Sequence, residues 1–502
     1  MAKKLSNELK VILASASIAF FGSIVNRVFN YVLRILIARG LSVEDYGLFT
    51  IAIMVMRFTI AISLLGLGEG LVRYVSYYRG LKDESKIKGT IFSSFGISFL
   101  FSLVITIILF FSAEFIAVNW FNSQELIPLL KIFVWAIPIG VIGSNLTSLN
   151  LAFEKIKYNF WLVDFGSQSL RVLTIGLVIL LGLGIIGVGF AYLISFWFII
   201  IVMYLVAESK VFPILRSKVK SEYNLKELFS YSWPLIFVGV LGYVMGWTDT
   251  FMIANLTNIT NVGLYNAALP LANLLTLLPL MFSPLFLPLI TKNYAKKKME
   301  LVSSLTKNVG KWSYMVNFPV LLLMLLFPGL FINILFGVDY LSATNALIYL
   351  AIGFFFFSLS YPSMHLLGMI KKTKLSLINL LIVIPINVIL NYYLIIDYGI
   401  TGVAIATAIS YIIYSLLFIL EGYYYLKLVP ISFRFWKATL AGLISLGMIL
   451  FIRNLIEVNL GFAILLGIMF SIIYLGLLFL FKAFDEYDKM LVGFLRTKFL
   501  KR

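Results

Sequence analysis

The chain has no cysteine and a single histidine, His365. The first absence excludes disulfides and thiolate metal sites and leaves the redox compartment unread. No spacing of histidine and carboxylates suits a metal, and no Ser-His-Asp set or carboxylate pair marks an enzyme. Charge is scarce, at 12% of 502 residues. The alternation of an outer-membrane barrel strand is missing too, because the apolar runs far exceed ~10 residues. The GLGEG run at 66–70 follows no strand and precedes no Walker lysine, so it is not a nucleotide loop. What is present is apolar: 61% hydrophobic residues and a mean hydropathy of +1.02. No soluble protein hides that much apolar surface, so the chain reads as an all-α polytopic membrane protein. Its first apolar run lacks a small-residue cleavage site and reads as a retained helix.

At ~20 apolar residues per crossing, the sequence predicts about fourteen spans. They fall near 11–38, 47–67, 91–117, 126–152, 160–182, 185–206, 231–254, 263–290, 312–336, 342–369, 376–396, 400–425, 437–455 and 460–481. Basic residues crowd alternate connections. Lys3, Lys4 and Lys10 precede span one; Arg79, Lys82, Lys86 and Lys88 follow span two; Lys307 and Lys311 fall in the eighth connection. Arg434 marks the twelfth, and Lys489, Arg496, Lys498, Lys501 and Arg502 end the tail. The odd connections carry acids instead, from Glu44 and Asp45 to Glu457. This asymmetry predicts both termini in the cytoplasm of a cell-membrane protein. It also accounts for most of the +18 net charge, so a nucleic-acid partner is not expected. Leu225–Phe229 with Tyr231 reads as a short amphipathic surface helix before span seven.

Two segments recur about 215 residues apart. VEDYGLFTIAIMV (43–55) parallels ITNVGLYNAALPL (259–271), and the run beginning GIIGVG at Gly184 parallels GITGVA at Gly399. Six helices separate the copies, an even number, so the halves share one orientation in the membrane. The expected division is 1–229 for helices one to six, 230–435 for helices seven to twelve, and 436–502 for two appended helices and a cytoplasmic tail.

Four arginines lie inside apolar spans: Arg27, Arg34, Arg57 and Arg171. An arginine at bilayer depth costs at least ~2.5–3.5 kcal/mol on insertion scales, and such residues usually face a wet cavity or a partner charge. Together they predict a cationic lumen and an anionic substrate. Arg27 and Arg34 are seven apart on one helical face, with Asn30 between them. Guanidinium groups suit phosphate oxygens through their paired donors.

The runs RILIARGLSVEDYGLFTIAIMV and LLGLGEGLVRYVSYYRG resemble the start of the Wzx-type polysaccharide-biosynthesis flippases. These belong to one superfamily, MOP, with the MATE exporters and the lipid II flippase MurJ. The resemblance implies two six-helix lobes around a central cavity lined by helices one, two, seven and eight. It implies alternating-access transfer of a polyprenyl-(di)phosphate-linked oligosaccharide, an anionic glycolipid, from the cytoplasmic to the outer leaflet. Membrane lipids and glycan-assembly enzymes would be its partners. The alternatives are lipid II flipping, or MATE-type export of organic cations, which would need an acidic cavity. Fourteen spans suit the flippase branches better than the twelve typical of MATE exporters. A glycan polymerase or ligase would carry a large outer loop, which this chain lacks.

Other residues are candidates for gating or coupling. Asp249, in span seven, is expected to meet Arg34 when the outside is closed, or to take H+ or Na+. Asp164 is seven residues before Arg171 and is expected to form a local network with it. Glu69 and Arg73 have the i, i+4 spacing of a helix-surface ion pair. His365 is either a proton-coupling group or structural. Asn145, Asn150, Gln168, Asn379, Asn387 and Asn391 read as interhelical hydrogen bonds or cavity-lining groups. The prolines from Pro270 to Pro288, with Pro279 and Pro284 between, predict a bent span eight. Trp247 could stack on a sugar.

Overall fold

The computed structural model describes residues 2–431, 435–455 and 460–484, with side chains from residue 21 onward except at 238, 283–285 and 460. The side chains of Lys3, Lys4, Lys10 and Pro284, and Arg434, Glu457 and the basic tail residues from Lys489 onward, lie outside the described residues.

Every regular element among the described residues is a helix. In chain order these are α1 (Ala2–Gly40), α2 (Val43–Ser63), α3 (Leu67–Leu81), α4 (Glu84–Asn119), α5 (Leu126–Phe133), α6 (Ala136–Ala152) and α7 (Ile156–Tyr158). A π-helical stretch, Asn159–Ser167, leads into α8 (Gln168–Leu180), followed by α9 (Gly184–Lys210), α10 (Leu225–Leu256) and α11 (Ile259–Asn273). A 3-10 turn, Leu274–Thr276, precedes α12 (Leu277–Ala295), α13 (Met299–Leu326) and α14 (Pro328–Leu335). The series ends with α15 (Thr344–Met369), α16 (Thr373–Leu426), α17 (Phe435–Arg453) and α18 (Leu460–Leu480).

Among the described residues, thirteen helical stretches are long and apolar enough to cross a membrane. One of them, α16, runs 54 residues and holds two crossings. Gly399 breaks it with φ 55° and ψ −133°, a conformation that side chains other than glycine rarely adopt. The count is thus consistent with the fourteen spans predicted.

By packing, the chain divides into two units: Met1–Ala267 with Val388–Val403, and Ala268–Asn387 with Ala404–Arg502. The first unit takes in α10, most of which the expected division at 229/230 assigns to the second lobe.

Within the first unit, Ser42 caps α2. Its Oγ accepts from the Asp45 amide at 3.0 Å, while the Asp45 carboxylate accepts from the Ser42 amide at 3.3 Å. Such a reciprocal cap is worth ~1 kcal/mol. The helix stops at Ser63, where Leu65 and Gly66 take φ values of 51° and 66°. At Gly66 a Cβ would lie 2.3 Å from the Ser232 carbonyl oxygen, so the turn and the close approach of α10 both need glycine.

The second connection is itself a helix, α3, which its charges concealed. Leu67, Leu71, Val75 and Tyr78 form its buried stripe. The neighbouring α4 inverts the soluble pattern. Ser94, Ser98, Ser102 and Thr106 are its buried face, and Leu100, Val104, Ile107 and Phe111 are exposed. In lipid there is no gain in hiding leucine, so small polar residues take the helix contacts.

The two echoed segments meet in one contact. A Cβ on Gly47 would sit 2.2 Å from the Ile259 carbonyl oxygen, and one on Gly263 would sit 2.1 Å from that of Val43. The VEDYG and ITNVG copies therefore clasp reciprocally, each glycine against the first residue of the other copy.

In the second unit, α17 and α18 pack on α13 through Ala438, Ala441, Ala463 and Phe470. Asn317 donates to the Leu275 carbonyl and to Ser358 Oγ, which ties the 3-10 turn of span eight to α13 and α15. That turn falls between Pro270 and Pro279, where a bend was expected. Lys307 and Lys311, counted with a cytoplasmic connection, lie instead on α13, and Lys311 is buried. The segment from Leu225 is not a separate surface helix but the first turns of α10.

Candidate functional site

Arg34 on α1, Arg57 on α2 and Arg171 on α8 converge on one cavity in the first unit. Asn30, Tyr46, Phe49, Thr50, Tyr192 and Trp247 complete its polar and aromatic lining, and its volume is about 30 Å³. A space of that size holds about one water. A headgroup enters only when the surrounding helices part. Arg27 is half-buried on α1 and does not line this space.

Arg171 is the deepest of the four, 6% exposed. Its guanidinium lies over the Tyr192 ring at 4.8 Å and the Phe196 ring at 5.1 Å. Both rings come from α9, and Tyr192 also lies in the field of Arg57. The Nε of Arg171 is buried without a hydrogen-bond partner. Among the described residues, none of the four arginines pairs with a carboxylate. Ring faces offset part of the burial cost of such a cation, by ~2 kcal/mol when desolvated. They do not neutralise it.

Arg34 donates to the Tyr46 hydroxyl at 3.3 Å, and that hydroxyl donates to the Asn266 carbonyl at 3.1 Å. The expected Arg34–Asp249 pair is not formed in this conformation. Asp249 is buried and accepts from the Tyr265 hydroxyl at 2.5 Å and from Asn391 Nδ2 at 2.9 Å.

Nor do Asp164 and Arg171 share a face. The intervening π-helical stretch has a wider turn than an α-helix, so a seven-residue spacing no longer returns to the same side. Asp164 turns toward α1, where it accepts from Asn26 Nδ2 at 3.3 Å. Gly22 makes room for it, since a Cβ there would lie 2.3 Å from Asp164 Oδ2. Asn30 in turn donates to Asn26 Oδ1 at 2.8 Å, which links Asp164 to the cavity lining.

The Glu69–Arg73 ion pair is also absent. Arg73 lies over the Tyr231 ring at 4.2 Å instead, across the contact between α3 and α10. A cation over a ring with its stem along apolar surface outcompetes an exposed i, i+4 pair worth a few tenths of a kcal/mol. His365 packs edge-on against Phe286 at 6.0 Å in the second unit. Most of the buried amides bond between or along helices: Asn145 to Ser98, Asn150 to Asn159, Asn379 to Glu421, and Asn387 to Thr407. Gln168 keeps a buried oxygen without a partner.

Sequence reasoning missed Tyr46 and Tyr192. Both lie in the repeated segments, in VEDYG and in the run beginning GIIGVG, and a tyrosine in such a run was the available signal.

A family model described as polysaccharide biosynthesis protein matches residues 12–294, and a second, MatE, matches residues 234–393. An uncharacterised membrane protein of Methanocaldococcus jannaschii is 25% identical over 94% of this chain and 95% of its own length. A Haloferax volcanii protein named as a probable low-salt glycan biosynthesis flippase is 26% identical over 52% of this chain and 56% of its own. A solved structure of the lipid II flippase MurJ, in an inward closed conformation, superposes with a TM-score of 0.73. It is 20% identical and covers 92% of this chain and 98% of its own. With more than half of its length matched, the chain belongs to the polysaccharide biosynthesis protein family.

Proposed function

We propose that this chain is an alternating-access flippase for a polyprenyl-(di)phosphate-linked oligosaccharide. The cavity binds the phosphates of the headgroup, and the lobes 1–229 and 230–435 rock to carry it from the cytoplasmic to the outer leaflet. One observation carries this reading: the buried Arg171 shares a cavity with Arg34 and Arg57, and no described carboxylate balances them. A cation left unneutralised at bilayer depth is costly, and an anion that enters and leaves accounts for its retention. An organic-cation exporter needs the opposite sign of lining. The basic loops support cytoplasmic termini, and partnership with glycan-assembly enzymes follows from the substrate.

The test is headgroup flipping in proteoliposomes, read by access of an external quencher to a fluorescent polyprenyl-diphosphate glycan. Arg34→Ala/Arg57→Ala is expected to abolish transfer, with Arg27→Ala less affected because it stands off the cavity. Wild-type transfer by the double variant would make these arginines structural.

Asp249 is our candidate for H+ or Na+ coupling, as a buried carboxylate held by Tyr265 and Asn391. The expected outcome is that an imposed proton or sodium gradient drives wild-type transfer, while Asp249→Asn moves substrate only down its own gradient. A gradient response retained in Asp249→Asn would remove this role.

A further inference from the structure

A second cavity, of about 820 Å³, adjoins the arginine cavity in the first unit. It is lined by α2, α4 with the following Trp120 and Phe121, α10, and residues Val388 and Tyr392, and Trp247 walls both spaces. The lining is mostly carbon, from side chains such as Met54, Phe58, Ile105 and Leu109. Its two threonines and its asparagine are already spent on backbone. Thr59 donates to the Val55 carbonyl, Thr248 to that of Val244, and Asn255 to that of Trp120. On α10 the lining runs from Tyr243 to Leu256, ~20 Å at 1.5 Å per residue. At the rim, Trp120, Phe251 and Tyr392 are 46%, 40% and 52% exposed.

We propose that this cavity holds the isoprenoid chain of the carrier lipid while the arginine cavity holds its phosphates. The assignment rests on the flippase reading above. The volume falls in the ~300–1,000 Å³ range of small-molecule sites. A helix ~10 Å across and ~20 Å long would need about twice that space, which excludes a protein segment. A resident phospholipid keeps its phosphate at the membrane surface. Arg57 and Trp247 lie in the interior of their helices, so a chain whose anionic end reaches them belongs to a lipid in transit. Trp247 stands where the apolar chain meets the charged group.

The test uses full-length protein in nanodiscs and a diazirine-tagged farnesyl diphosphate. Labelling is expected in the peptides covering 105–121 and 243–256. Ile105→Trp/Leu109→Trp fills the cavity and is expected to weaken farnesyl diphosphate binding by about tenfold or more. Binding of a water-soluble glycosyl diphosphate, which needs only the arginines, stays at the wild-type level. Val388→Trp, at the partly exposed edge, is expected to give the same split with less disturbance of the core. Labelling confined to α17 and α18 would overturn the proposal. So would equal labelling of 105–121 and 243–256 by a diazirine-tagged phosphatidylglycerol. Failure of the soluble diphosphate to bind wild type would instead remove the anion-site reading, and farnesyl labelling of the same peptides would leave the chain site standing.

Discussion

Arg171→Met is expected to give a folded protein, at least as heat-stable as wild type, that transfers the headgroup about ten- to a hundredfold more slowly. The two halves of that result have separate causes. Arg171 is 6% exposed, its Nε has no partner, and no described carboxylate faces it. Even buried ion pairs can often be replaced by apolar side chains of similar volume at no cost or with a gain of ~1–4 kcal/mol, and a cation without a counter-charge has less to lose. Methionine keeps contact with Tyr192 and Phe196 through its sulfur. The fold therefore loses little, and the desolvation cost of the cation is gone. On the flippase proposal, transport loses its deepest phosphate partner, and a charge-assisted hydrogen bond lost at low dielectric is worth ~1.5–3 kcal/mol, about ten- to a hundredfold in transfer rate. Arg171→Lys is expected to fall between, because lysine keeps the charge but not the planar fork or the ring stacking. The measurements are thermal unfolding in detergent and quencher-accessible flipping in proteoliposomes. Normal flipping by Arg171→Met, or unfolding several degrees below wild type, would show that the arginine serves packing.

The reciprocal glycines should respond in the opposite manner, with stability falling first. Gly47→Ala or Gly263→Ala places a methyl 2.1–2.2 Å from a backbone carbonyl oxygen on the facing helix start. No rotamer relieves this, because the Cβ position is set by the backbone. The starts of α2 and α11 must part by about 1 Å, at the ~1–3 kcal/mol typical of overpacking. Arg34 is expected to feel the shift, since its partner Tyr46 precedes Gly47 and bonds the Asn266 carbonyl across the same contact. The double variant should cost less than the sum of the singles, because one separation relieves both clashes. Thermal unfolding and amide exchange over residues 43–50 would read this out. Single variants with wild-type melting and unchanged protection would mean that the contact is not held in solution.

Local chemistry explains which parts of this protein were legible in its sequence. Crossings are set by the length of apolar runs against a fixed bilayer thickness, so fourteen spans could be counted residue by residue. The connection holding α3 was not legible as a helix, because its stripe of Leu67, Leu71, Val75 and Tyr78 is interleaved with basic and polar residues. The four arginines stood out because a guanidinium inside an apolar span is costly before any partner is known. Their partners did not. Seven-residue spacing holds only on a regular α-helix, and the π-helical stretch at 159–167 turned Asp164 to Asn26 and left Arg171 to the rings of α9. The i, i+4 pair of Glu69 and Arg73 lost to Tyr231, a residue more than 150 positions away. By itself, then, the sequence determined the membrane class and the number of crossings and singled out the membrane arginines, all of which follow from composition and short-range pattern. Only the tertiary structure decided which arginines share a cavity, what neutral groups surround them and where the apolar space beside them lies, because those depend on helix rotation and on contacts between segments far apart in the chain.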